Sequence, residues 1–129
     1  MKNLIFIILS LVLISMSSVY GQDYMKILNN QDYESLSQYT NDKVNLEIDR
    51  KKSLESSAGA IKAVRAKLDA FNPIKWSSVH KGTSEENDAK YFIAEVTNSG
   101  GDGLRVFFHL ESVGDVKKIS SIRIRKLLN

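Results

Sequence analysis

Residues 119–124 read ISSIRI, and their spacing decides how the C-terminal half folds. Ile119, Ile122 and Ile124 are separated by three residues and then by two, whereas side chains on one face of a regular strand recur every second residue. One inserted residue at Ser120–Ser121 removes the conflict, because a β-bulge restores the phase and returns all three isoleucines to one side. The partner strand contains RVFFHLE, residues 105–111. Leu104, Val106, Phe108 and Leu110 share one of its faces; Arg105, Phe107, His109 and Glu111 share the other. With a tight turn at Gly114–Asp115, Leu110 faces Ile119, Phe108 faces Ile122 and Val106 faces Ile124. That apolar set is the core face. His109 then lies beside the two serines on the outer face, in a strip with Phe107, Glu111, Lys118, Arg123 and Arg125, where Arg123 stacks on the Phe107 ring.

Working back from this hairpin, strands are expected at about 74–82, 89–98, 104–112 and 116–126. Turn residues at Glu85–Asp88, Ser99–Gly103 and Gly114–Asp115 join them as an antiparallel meander. The glycine-rich Ser99–Gly103 stretch is read as a hairpin and not as a phosphate loop, since phosphate-cradling loops lead from a strand into a helix. In strand 89–98, Phe92, Ala94 and Val96 compete with Tyr91 and Ile93 for the inside; either choice leaves apolar side chains outside. In IKWSSVH, residues 74–80, the side chains of Ile74, Trp76, Ser78 and His80 share a face, and Trp76 makes it the inner one.

Further upstream, SSAGAIKAVRAKLDAFNP carries Ile61, Val64, Leu68 and Phe71 at helical spacing, with Ser56 or Ser57 as cap and Asn72-Pro73 as stop. Before it, KVNLEID alternates Val44, Leu46 and Ile48 as a strand with one buried face. The basic run Arg50–Lys52 reads as a solvated loop, with anion contact as the alternative. QDYMKILNNQDYESLSQYT, residues 22–40, reads as two short helices broken at Asn29–Asp32, one with Ile27 and Leu28 on its apolar face, the other with Tyr33, Leu36 and Tyr39.

The first 21 residues have the order of a secretory signal: Lys2, an apolar stretch Leu4–Ile14 broken only by Ser10, then serines and Gly21. Cleavage between Gly21 and Gln22 is expected, giving an exported, periplasmic or secreted chain that meets the membrane only through that segment. An uncleaved anchor would want about 20 apolar residues. Residues 22–129 then form one domain. At 43% hydrophobic and 26% charged, the chain has ordinary globular composition. It contains no cysteine, which excludes disulfides, thiolate catalysis, cysteine metal sites and lipid attachment through an N-terminal cysteine. Removing the segment loses only Lys2, leaving 17 Lys+Arg against 15 Asp+Glu, too small an excess to suggest nucleic acid.

His80, on the inner face, is the one candidate acid–base group; the bland reading is a histidine bonded to a tyrosine or backbone group at the rim of the core. The inner faces of the last two strands supply no carboxylate to orient it, so no catalytic residue is assigned. With Trp76, Tyr33 and Tyr39 it makes up the pocket candidates. Two histidines on opposite faces make no metal site, and no cofactor is expected. Phe107, His109, Arg123 and Arg125 are the outer-face interaction candidates; a solvated face with scattered apolar residues is the alternative.

The order of elements, two short helices around NNQDYESLSQY, the strand VNLEI, a helix ending LDAFNP and a meander closing GDVKKISSIRI, resembles the nuclear-transport-factor-two-like superfamily. Within it, AFNP after the helix and the isoleucine-rich end resemble an uncharacterised family of exported bacterial proteins, a domain of unknown function. The resemblance implies a cystatin-like α+β cone, a curved antiparallel sheet wrapped around the N-terminal helices and one longer helix. It further implies a hydrophobic pocket at the open end and homodimerisation through the outer sheet face. Some superfamily members are isomerases or dehydratases with aspartate, tyrosine or histidine in that pocket; here only His80 and the tyrosines stand at such positions. The resulting expectation is a noncatalytic binding module for an apolar small molecule or a protein. A small acid–base enzyme using His80, or a structural subunit of an envelope complex, is the alternative.

Overall fold

The computed structural model describes residues 20–79 and 91–127. The elements run α1 (Tyr20–Asn29), a short 3-10 helix (Tyr33–Gln38), β1 (Thr40–Ile48), β2 (Lys51–Ser56), α2 (Ser57–Phe71), β3 (Lys75–Ser78), β4 (Tyr91–Thr97), β5 (Gly103–Val113) and β6 (Val116–Lys126). The strands form one curved six-stranded sheet in the order β2-β1-β6-β5-β4-β3. The fold is mixed α+β, as expected. Among the described residues, no helix is long and apolar enough to cross a membrane.

The register of the last hairpin matches the reading of ISSIRI. Leu110 pairs with Ile119, Phe108 with Ile122 and Val106 with Ile124, while the register shifts between His109 and Leu110 so that Ser120 is the extra residue. Ile119, Ile122 and Ile124 are fully buried. Gly114, at φ +64, gives the connecting turn a backbone conformation that other residues rarely adopt. Phe92, Ala94 and Val96 take the inner face of β4, which puts Tyr91 and Ile93 outside.

The helices cover the inner face. α2 buries Ala60, Ile61, Val64 and Leu68 along one stripe; Ser56 Oγ caps its start by accepting from Gly59 N at 3.1 Å. Asn72 ends it in the left-handed region at φ 58, the conformation in which a helix closes its last carbonyls. From α1, Tyr24 is inserted among Tyr39, Phe92 and Phe108 with ring centroids 5.3–5.5 Å apart, mostly edge-on, the geometry aromatic quadrupoles favour.

Three expectations need correction. The segment after Arg50 is no loop: Asp49 and Arg50 form a tight turn with both residues at positive φ, and Lys51–Ser56 returns as β2, antiparallel to β1. Ile74 and Ser78 are not buried with Trp76: Ile74 is exposed because it precedes β3, and Ser78, although its pairing with Ala94 puts it on the face of Trp76, is exposed at the end of an edge strand. The sheet is also not antiparallel throughout, since β1 pairs with β6 in parallel.

Candidate functional site

The outer face of the sheet is built in cross-strand rows by the registers of β1, β4, β5 and β6. One row runs Ile93, Phe107, Arg123, Glu47 and Lys52; the next runs Tyr91, His109, Ser121, Asn45 and Leu54. Together they make an apolar wall at the β4–β5 side and a charged field at the β1–β6 side.

Phe107 and Arg123 meet as anticipated, with the guanidinium carbon 5.7 Å from the ring centroid. Arg123 also reaches Glu47 Oε2 at 3.4 Å, and Arg125 reaches the same oxygen at 3.2 Å. Lys52 lies 4.0 Å from Glu47 Oε1. The Glu47 side chain is 10% exposed, an unusual position for a carboxylate unless cations surround it. Further along the face, Arg105 pairs with Glu95.

His109 is exposed on this face beside the bulge. Its Nδ1 lies 3.2 Å from Ser120 Oγ, and that hydroxyl donates to the His109 carbonyl at 3.3 Å. A hydroxyl has one hydrogen; with that hydrogen given to the carbonyl, Oγ is left to accept from Nδ1–H. The Tyr91 ring flanks the imidazole at 5.8 Å. Tyr91, Ile93, Phe107, His109, Ser121 and Arg123 line a groove of about 450 Å³. A second groove of about 410 Å³, lined by Asn45, Glu47, Lys52 and Ser53 among others, shares Ser121 and Arg123 with the first.

Of the helix-side candidates, three lie among the described residues. Trp76 is 8% exposed and Tyr33 1% exposed, both within the packed core, and among the described residues neither Trp76 Nε1 nor the Tyr33 hydroxyl finds a hydrogen-bond partner. Burial raises the Tyr33 phenol above its ordinary value, as does the nearby Asp69, while Arg65 opposes them. Tyr39 lines a separate surface groove of about 230 Å³ with Asp23, Lys26 and Gln38. His80 lies outside the described residues. Among the described residues no cluster of three His, Asp or Glu side chains stands where it would hold a metal ion.

Sequence reasoning picked out Phe107, His109, Arg123 and Arg125 but missed Glu47, the residue that organises the last two. Its outward parity was visible between Leu46 and Ile48; its burial depends on β6 lying alongside, which no local pattern reveals.

A family model described as "Domain of unknown function (DUF4783)" matches residues 22–125. A DUF4783 family protein from Bacteroides uniformis superposes with a TM-score of 0.72 at 18% identity, over 86% of this chain and 100% of that one. One from Bacteroides ovatus gives 0.71 at 21% identity, over 88% and 98%. A NTF-2-like protein of unknown function from Silicibacter pomeroyi gives 0.53 at 14% identity, over 82% and 88%. No curated protein matches the sequence.

Proposed function

We propose that this chain, which belongs to the DUF4783 family, is a noncatalytic binding module that engages its ligand or partner through the outer face of the sheet. The observation that carries this reading is the outward groove in which Tyr91, Ile93 and Phe107 stand beside Arg123 and His109. A sheet face turned to water is normally polar along alternate positions; apolar side chains gathered in a groove there mark a contact surface. The NTF2-like fold supports a binding role without specifying one. A second copy of the chain or another protein is the macromolecular form of the same contact.

The chain is further proposed to be exported and cleaved after Gly21. In support, the family match begins at Gln22, the residue such cleavage would expose. Catalysis through His80 draws no support from the geometry, because that residue lies outside the described part of the chain.

Native mass spectrometry of the protein purified from its producing cells, with Phe107→Asp in parallel, tests both points. The expected spectrum shows a chain beginning at Gln22 that carries a small molecule or a second subunit, released by the substitution. A bare monomer in both samples would overturn the outer-face reading, and a retained residue 1 would overturn cleavage.

A further inference from the structure

The two outer-face grooves meet over Arg123 and differ in chemistry. The β4–β5 groove is walled by Ile93, Phe107 and Tyr91, whereas the one toward β2 is lined, Leu46 apart, by polar and charged residues. Charge is unbalanced where they join. Glu47, a single carboxylate, faces Arg123, Arg125 and Lys52, so two positive charges stay unanswered within the cluster. Arg123 is 44% exposed and Arg125 50% exposed, so both can still meet a ligand from solvent. Ser121 lines both grooves at their junction.

We infer that the outer face binds an amphipathic organic acid, its carboxylate at the Arg123–Ser121 junction and its apolar body along Phe107, Ile93 and Tyr91. This rests on the outer face being the contact surface and names the class of ligand it takes. A guanidinium offers paired donors to a carboxylate, and an apolar wall next to it repays the burial of a hydrocarbon or aryl body. At about 450 Å³, the apolar groove falls in the range of about 300–1,000 Å³ found for small-molecule sites. Charge also argues against a second copy of the chain at this spot. A two-fold axis through the junction would set one unanswered cationic cluster against another, which costs binding energy.

The test titrates the full chain with decanoate, with decanol (the same chain length without charge) and with acetate (the charge without the chain), following backbone amide shifts. Decanoate is expected to bind about tenfold or more tighter than either control, with shifts concentrated at residues 91–93, 107–109 and 121–123. Arg123→Gln is expected to lower decanoate affinity to that of decanol; should that variant not fold, Phe107→Ser takes its place and is expected to weaken decanoate and decanol alike. Equal affinity for decanoate and decanol, shifts confined to the helices, or no binding up to about 1 mM would overturn the inference. Sedimentation of the chain and of Phe107→Asp separates this failure from that of the broader reading. A dimer that the substitution dissociates would leave the outer face as the contact surface and assign it a protein occupant instead.

Discussion

Tyr33 shows how a buried side chain ties stability to pH. Its ring fills the core at 1% exposure, and among the described residues its hydroxyl has no hydrogen-bond partner. Burial and Asp69 both favour the neutral phenol, which raises its pKa above 10.0 in the folded chain. The contribution is therefore intact below pH 10 and lost above it, because the unfolded chain releases the proton first. Tyr33→Phe is expected to leave stability at pH 7 within about 1 kcal/mol of the parent, since it removes a hydroxyl that was desolvated without compensation. Urea unfolding at pH 7 and again above pH 10 checks this: the variant should lose less stability between the two than the parent does. An equal alkaline loss would show that other groups govern it. Tyr33 was legible as an apolar helix-face residue, but the solitude of its hydroxyl was not, because that depends on which side chains the fold brings near it.

At the scale of elements, the bulge and the β1–β2 turn respond to opposite kinds of change. Deleting Ser120 removes the extra residue, so Ile119, Ser121, Ile122, Arg123 and Ile124 alternate regularly and the three isoleucines keep the inner face, whereas inserting an alanine between Ile122 and Arg123 turns either Ile124 or the pair Ile119 and Ile122 outward. Each isoleucine moved from core to water costs about 1.5–3 kcal/mol, so the insertion is expected to unfold at much lower urea concentration and the deletion close to the parent. An unchanged midpoint for the insertion would mean that the phase of the isoleucines carries no packing constraint. In the turn, Asp49 at φ 53 and Arg50 at φ 70 occupy backbone conformations that a Cβ disfavours. Lys67 holds Asp49 with an ion pair at 2.7 Å, so Arg50 is the position to change. Arg50→Gly is expected to add about 0.5–1 kcal/mol, read as a higher thermal midpoint. The contrast explains what the sequence could disclose. A bulge leaves a break in apolar periodicity; KKSLES leaves no such trace, since its one large apolar residue, Leu54, is 63% exposed and the strand exists through its pairing with β1.

For the whole molecule, the four C-terminal strands and the longer helix follow from local pattern, and the family, together with a fold like that of an NTF2-like protein, was legible in the order of elements. The seam between the two halves of the sheet was not. β1 lies parallel to β6, so residues 45–48 align with residues 121–124, and no stretch of chain encodes a partner that far away. The outer face inherits this gap: Arg123 and Arg125 come from one side of the seam and Glu47, the carboxylate both reach, from the other. The same seam orders events during synthesis. The first hairpin leaves the ribosome with one edge unclaimed, and the strand that will cover it, Val116–Lys126, follows only after the longer helix and three further strands. Until that strand is made, the early edge is open to whatever else in the cell offers a backbone, and a holdase or rapid passage across a membrane would shield it for that interval.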